Sequence, residues 1–421
     1  MNLQNLSQKL DKNPEYKYIF WLFLLTRIIL TAVGTLARTF IKSPHSFVYS
    51  KYIWLAIWGV WDSGWYLRIA EFGYSNIISN KLATLEQANY AFFPLYPLLM
   101  NLLEKVVRNY YISGLLIANI SLIVACVYLY KLARLDFDQK TSLRTIQYCL
   151  LWPVAFIFSG VFTESLYLAL AIAAFYYARK SNWLLACILG FFLALTRSLG
   201  ALIVIPLLYE YLRTKSVSIS SLPRNLLTAD DNKPLHSLAH STGLRATLSF
   251  TEWVGCTRSV GVEKSGIGKE IFYFLLVPAG LGLFSYYNYI LTKNPFAFLE
   301  IQGAWGRQLV NPIRLIVGGL FHGDTTSIFN SLFVLLVVVL VTIFYKKIRG
   351  SYLIFIAYSI IVPLLTGLES LPRYILVIFP LFILLAQITK NKFVNYSLST
   401  ALFLAQCALM VFWTTGFNLV K

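Results

Sequence analysis

Charged side chains are scarce in this chain: they make up 13% of its 421 residues, against about 25% in a soluble globular protein. With 58% of the residues apolar and gathered in runs, a water-soluble fold is excluded. Cysteine is also sparse. Cys126, Cys149, Cys187, Cys256 and Cys407 are scattered, four of them inside apolar runs, with no CxxC spacing. Neither a zinc site nor a disulfide framework is indicated. Of four histidines, His45 and His322 stand alone. His236 and His240 are four apart in a polar stretch without a carboxylate or cysteine pattern beside them, so no metal is expected. Glycine-rich phosphate loops of the Rossmann or P-loop type are missing, which argues against a soluble nucleotide site, and no solenoid-type repeat occurs. No cofactor is implied.

What the chain does have is about eleven apolar runs, near 18–37, 112–133, 145–160, 162–178, 182–196 and 198–212, then 270–291, 328–345, 351–367, 373–389 and 393–416. Several approach the roughly 20 residues that cross a bilayer as a helix. They predict an all-α, polytopic membrane protein. The first run, lacking a small-residue cleavage site, reads as a retained span. Two membrane modules, 1–212 and 270–421, flank the polar stretch 213–269, which reads as a cytoplasmic loop rich in Ser, Thr, Gly and Pro.

The formal net charge of +18 raises the possibility of a nucleic-acid partner, but the basic residues fall between the spans rather than in one domain. Lys and Arg held on the cytoplasmic side account for the surplus, and no nucleic acid is expected. With the N-terminus inside, most Lys and Arg fall on cytoplasmic segments. The segments left outside are the 39–111 loop, GVFTES at 160–165, TRSLG at 196–200, the 292–327 loop and LESLPRY at 368–374. Those are the ones with unusual composition. Their short outer turns suggest a bacterial plasma membrane, with the endoplasmic reticulum as the alternative.

Within the first outer loop, WGVWDSGWYLRIAEFGY sets Trp58, Trp61, Trp65, Ile69 and Phe72 at three- and four-residue spacing, the pattern of one helix face. Such a helix would lie in the interface with its tryptophans at headgroup level. Asp62 falls beside that face and Tyr66 one turn later. A carboxylate at that depth suits a general base that deprotonates an acceptor hydroxyl; a plain helix cap is the competing role. Glu164, at the outer end of an apolar run, is a site residue or a helix-terminal charge. Arg197 and Arg373 stand at outer membrane edges, where a guanidinium needs a partner. Phosphate fits its planar donors; structural pairing with Asp62, Glu164 or Glu369 is the alternative. AFFPLYPLL at 91–99, broken by two prolines, reads as a bent or re-entrant entry to the next span. The loop PFAFLEIQGAWGRQ, with Glu300, Trp305 and Arg307, either lines an acceptor groove or rests on lipid.

These blocks, with LLWPVAFIFSGVFTESLYLALAIAAFYYAR, ALTRSLGALIVIP and LPRYILVIFPLF in the same order, resemble the PIG-V mannosyltransferases, which include the enzyme adding the second mannose of glycolipid anchors and bacterial relatives. The likeness covers most of 18–212 and, more loosely, 270–390. It implies a GT-C-type fold with interfacial helices in the first outer loop. It also implies a site on the outer or lumenal face, an inverting displacement without a required metal, and a polyprenyl-phosphate sugar as donor, with mannose the leading sugar. The acceptor would be lipid- or glycan-linked. By this resemblance Asp62 is the catalytic base, and Glu164 and Arg197 take site-shaping or phosphate roles. On the reading of the residues themselves, Arg373 and Arg197 bind the donor phosphate, and Trp61, Trp65, Tyr66, Glu164 and Arg307 shape the site. Two other classes compete. A transporter or flippase places ionisable groups near the bilayer midplane, often in repeated halves, whereas here they lie at edges. A membrane scaffold needs no such charges.

Overall fold

The computed structural model describes residues 13–42, 48–75, 87–220, 268–417 and 419, the side chains of 216–220 excepted. His45, His236, His240, Cys256 and most of the 213–269 stretch lie outside the described residues. All regular structure among the described residues is helical. The principal helices are α1 (Pro14–Phe40), α2 (Ser63–Phe72), α3 (Leu95–Val107), α4 (Tyr110–Ala133), α5 (Gln139–Leu150), α6 (Glu164–Arg179), α7 (Trp183–Ala194) and α8 (Val204–Ser220). There follow α9 (Leu276–Thr292), α10 (Pro312–Phe321), α11 (Thr325–Phe344), α12 (Gly350–Leu364), α13 (Leu371–Leu376), α14 (Pro380–Ile388) and α15 (Lys392–Thr415).

Five helical stretches are long and apolar enough to cross a membrane: α1, α4, Lys269–Thr292 (a 3₁₀ turn running into α9), Thr325–Lys347 (α11 and its 3₁₀ end) and α15. Their flanks carry exposed Trp21, Leu25 and Ile28 on α1 and Leu332, Leu336 and Ile343 on α11. Large apolar side chains exposed along whole helices, with the backbone groups bonded inside each helix, are the surface a bilayer requires. The chain is a multi-pass membrane protein.

The other six expected spans are shorter or interrupted. The 145–160 run is not one helix. It leaves the α-helix at Leu150, and Ala155–Ser159 winds as a 3₁₀ turn after Pro153, whose ring removes an N–H and blocks the preceding turn. The polar groups freed there meet Arg27 of α1, whose Nη1 donates to the Ala155 carbonyl and to Ser159 Oγ, both at 3.0 Å. That explains a buried arginine inside the first span. The 373–389 run breaks likewise between Leu376 and Pro380. The 198–212 run begins as a 3₁₀ turn, Ser198–Ile203, before α8.

α4 and α6 pack along each other, α6 continues onto α7, and α7 packs on α9. The α7–α9 contact is close because a Cβ at Gly280 would stand 2.4 Å from the Phe191 carbonyl; small residues let helix backbones approach where lipid supplies no hydrophobic drive. α1 packs on α15, α5 on α14, and α12 and α11 on α13. The short helices α2, α3 and α13 thus sit at one end of the bundle, above α4 and α6.

Candidate functional site

The stripe of tryptophans does not form one helical face. Trp61 has φ +51°, a left-handed conformation that a non-glycine residue rarely takes, and α2 starts only at Ser63. Trp58, ahead of that kink, is buried and packs on Trp413 at 6.4 Å between ring centres. Of the five stripe residues, Trp65, Ile69 and Phe72 lie on α2, and Trp65 turns toward protein rather than lipid. Its ring stacks on Phe92 at 5.6 Å and meets Trp305 edge-on at 5.9 Å. The depth-setting role expected of these rings is replaced by the building of a wall.

Asp62 occupies the N-cap position of α2, yet its side chain caps nothing. Oδ2 instead accepts from Arg373 Nη1 at 2.6 Å. Arg373 enters on α13 just after Ser370, another left-handed residue, with φ +62°. Strained backbone therefore flanks both members of the pair, a cost of about 1–3 kcal/mol each that surrounding structure must hold in place.

Behind that pair lies Glu164, the first residue of α6, fully buried. Its Oε1 accepts from Arg373 Nε at 2.9 Å and from Arg197 Nη2 at 2.6 Å. Glu164 Oε2 and Arg197 Nη1 are buried without a hydrogen-bond partner among the described residues. Arg197 stands at the N-cap of the Ser198–Ile203 turn. That turn is pressed so close to α7 that a Cβ at Gly200 would come within 2.1 Å of the Leu193 carbonyl. The Leu95 N–H, opening α3, donates to the Leu195 carbonyl at 3.0 Å, so the proline-broken AFFPLYPLL block starts a separate helix and ties the first loop to this turn.

Aromatic faces complete the cationic side. Arg373 lies over the Phe162 ring at 4.6 Å, while Arg197 and Arg307 both lie over Tyr374, at 5.2 and 5.5 Å. A guanidinium over a ring is stabilised by the ring quadrupole, more so when desolvated. Arg307 has only weak polar partners, Thr366 Oγ1 at 3.4 Å and the Glu369 carbonyl at 3.5 Å.

These groups enclose a cavity of about 340 Å³ whose lining includes Trp61, Asp62, Trp65, Tyr66, Phe92, Arg197, Gln302, Trp305, Arg307, Arg373 and Tyr374. Every one of the five expected outer segments reaches this region, and both membrane modules contribute: Asp62, Glu164 and Arg197 from the first, Arg307 and Arg373 from the second. Asp62 is the open member, its side chain 30% exposed against 5% for Arg373 and 0% for Glu164. Tyr66 is buried, with its hydroxyl 3.5 Å from Thr163 Oγ1. Burial pushes the phenol well above its ordinary value, so it remains a neutral donor. Glu300 bonds Asn294 at the surface and stays out of the cavity. His322 is exposed, and among the described residues no three His, Cys, Asp or Glu side chains group as a metal site. Phe162, Tyr374, Phe92 and Gln302 were not expected. The first two sit beside charged residues in GVFTES and LPRYIL, and that adjacency was the available signal.

No family model matches the chain, and no curated protein matches it. Among solved structures it is similar to an oligosaccharyltransferase of Archaeoglobus fulgidus. In its complex with zinc and sulfate the identity is 13% and the TM-score 0.40, over 94% of this chain and 53% of that one. Tethered to an acceptor peptide through a disulfide, it gives 12% and 0.44 over 95% and 55%; the apo form gives 12% and 0.42 over 95% and 56%. The chain spans about half the length of the solved structures it matches. A likeness of this size leaves the roles of individual residues to the geometry of the cavity.

Proposed function

We propose that the chain is a GT-C-type membrane glycosyltransferase that moves a sugar from a polyprenyl-phosphate carrier to a lipid- or glycan-linked acceptor on the extracytoplasmic face. The supporting observation is the convergence, on one cavity, of an accessible carboxylate, three guanidiniums and an aromatic wall of Trp65, Phe92 and Trp305. A sugar phosphate presents that combination in complement: a charged phosphate for the arginines and apolar C–H faces for the rings. Mannose is the sugar suggested by the resemblance to the PIG-V mannosyltransferases.

In this reading Asp62 takes the proton of the acceptor hydroxyl as that oxygen bonds to the anomeric carbon from the face opposite the phosphate. The bond from that carbon to the phosphate oxygen breaks, its electron pair leaves on the phosphate, and configuration inverts. Arg373 and Arg197 carry the growing negative charge of the leaving group, and Arg307 helps to hold the donor in the cavity. Donors already aimed at that position need little reorganisation in a dry site. Trp61, Trp65 and Tyr66 shape the pocket around the sugar.

A transporter reading is less well supported, since the charged cluster joins the first residue of α6 to the short helices at one end of the bundle rather than lining a path at mid-depth. The test is transfer by the purified protein in nanodiscs, with a panel of polyprenyl-phosphate sugars and of nucleotide sugars. Turnover of at least one carrier-linked sugar is expected. Turnover of nucleotide sugars alone would reverse the donor assignment.

A further inference from the structure

A general base must aim an oxygen at the acceptor proton, and in this structure Asp62 turns Oδ2 to Arg373 instead. Its carboxylate is held by Arg373 at 2.6 Å, and among the described residues it has no other hydrogen-bond partner. Arg373 is held differently. Glu164 fixes it through Nε at 2.9 Å and the Phe162 ring supports it at 4.6 Å. If the Asp62 contact opens, Arg373 keeps its place and its Nη1 edge turns to whatever anion lies in the cavity, next to the unpartnered Nη1 of Arg197. The carboxylate is the exposed, singly held partner; the guanidinium is the buried, doubly held one.

We infer that the Asp62–Arg373 ion pair is a latch opened by the donor phosphate, so that Asp62 becomes a working base only once the donor is seated. This rests on reading the cavity as the donor-phosphate site. Phosphate oxygens compete for the guanidinium edge that Asp62 occupies, with the same sign of charge and a matching bidentate geometry. Losing that contact frees Oδ2 to turn toward the acceptor hydroxyl, whose proton it must reach. Glu164 is then a positioning residue: it touches neither substrate, and it keeps Arg373 and Arg197 together when Asp62 lets go. Donor binding precedes acceptor activation.

A latch makes an uncommon demand: removing the proposed base should tighten binding of the donor's phosphate. An internal competitor lowers apparent affinity by the fraction of molecules in which it is disengaged, so a latch closed in about nine molecules of ten weakens binding about tenfold. The measurement is titration of the full chain in nanodiscs with undecaprenyl monophosphate, read by fluorescence of the tryptophans that line the cavity. Asp62→Asn should bind about tenfold more tightly than wild type. Glu369→Gln, which removes an exposed charge from the rim, should gain less than twofold. In an Arg373→Gln background the gain from Asp62→Asn should vanish, since coupled residues lose their interaction term when one is gone; Arg373→Met, likewise uncharged, serves if the glutamine variant does not fold. A gain that survives loss of Arg373, or no gain at all, overturns the latch. Wild-type protein that binds no carrier removes the donor site and the latch with it.

Discussion

The two ends of α6 carry the same chemistry arranged in opposite ways. At its last residue, Arg179 donates Nη1 and Nη2 to the two oxygens of Asp136, at 2.8 and 2.7 Å. Nearby, Glu210 accepts from Arg349 on both oxygens and from Ser351 as well. Each of these carboxylates is matched oxygen for oxygen. At the first residue, Glu164 gives one oxygen to two arginines and leaves the other bare, and Arg197 keeps a nitrogen without a partner. Buried polar groups are ordinarily satisfied, and the exceptions call for an explanation. Complete pairing is what a fold needs; incomplete sharing around a cavity is what a ligand can complete. α6 is sixteen residues long, so its two end residues lie about 22 Å apart along the axis.

The widest separation between the ends should appear in turnover. Asp62→Asn is expected to lower sugar transfer about 10²- to 10⁴-fold, the usual worth of a general base, while the protein still elutes as a single folded species from detergent. Asp136→Asn, at the other end, should leave transfer within about twofold. Similar losses from both variants would erase the distinction.

Stability should respond in the reverse sense. Glu210 is buried, its side chain 2% exposed, whereas that of Arg349 is 25% exposed. Removing one member of a buried pair costs about 3–5 kcal/mol because the other is left uncompensated, and the partial exposure of Arg349 sets the expectation for Glu210→Gln at about 3 kcal/mol. Thermal unfolding in detergent would show it, and the double change Glu210→Gln with Arg349→Gln should recover part of the loss. If the single change leaves the melting temperature unmoved, the inner pairs are not what holds that end.

A smaller effect tests the outer arginine with the fewest commitments. Arg307 has no carboxylate partner and rests over Tyr374. Its removal as Arg307→Gln should raise KM for the carrier-linked sugar about tenfold, near the lower bound for a hydrogen bond to a charged group, with a smaller change in kcat. An equal fall in kcat at constant KM would place Arg307 on the transition state alone.

Much of this contrast was legible in the sequence because charges at the edges of apolar runs are conspicuous. Glu164, Arg197 and Arg373 stood out for that reason, Asp62 by its place beside the aromatic spacing and Arg307 by the mixed composition of its loop. The loop charges that set five segments on one side named segments that supply the cavity lining and the Glu164 behind it. Other features were hidden for physical reasons. The three- and four-residue spacing of Trp58, Trp61 and Trp65 imitates a helix that the left-handed backbone at Trp61 interrupts. The expected spans at 145–160 and 373–389 break at Pro153 and ahead of Pro380, and at the first break a distant residue, Arg27, takes up a freed carbonyl. Phe162 and Tyr374 gave no signal of their own, because one residue in six of this chain is aromatic and only the fold selects which rings lie under guanidiniums. The pairing of Arg373 with both Asp62 and Glu164 joins residues more than 200 positions apart, beyond any local pattern.

The smallest expected effect concerns acid, and it isolates the Arg179 end of α6. Burial alone would raise the Asp136 carboxyl, but the hydrogen bonds and charge of Arg179 overcome it and hold the group below the usual carboxylate range. A carboxyl depressed in the folded protein binds its proton less readily there than in the unfolded chain. Its stabilising contribution is therefore complete above the unfolded value, near 4, and is lost as pH falls through the folded one. The Asp136 side chain is 33% exposed, so the pair contributes on the order of 1 kcal/mol or less. The melting temperature of wild type minus that of Asp136→Asn, followed from pH 7 downward, should stay constant to the ordinary carboxylate range and then shrink toward zero. A difference that grows in acid would mean that Asp136 is held as the neutral acid, and the matched pairing at that end of α6 would have to be given up.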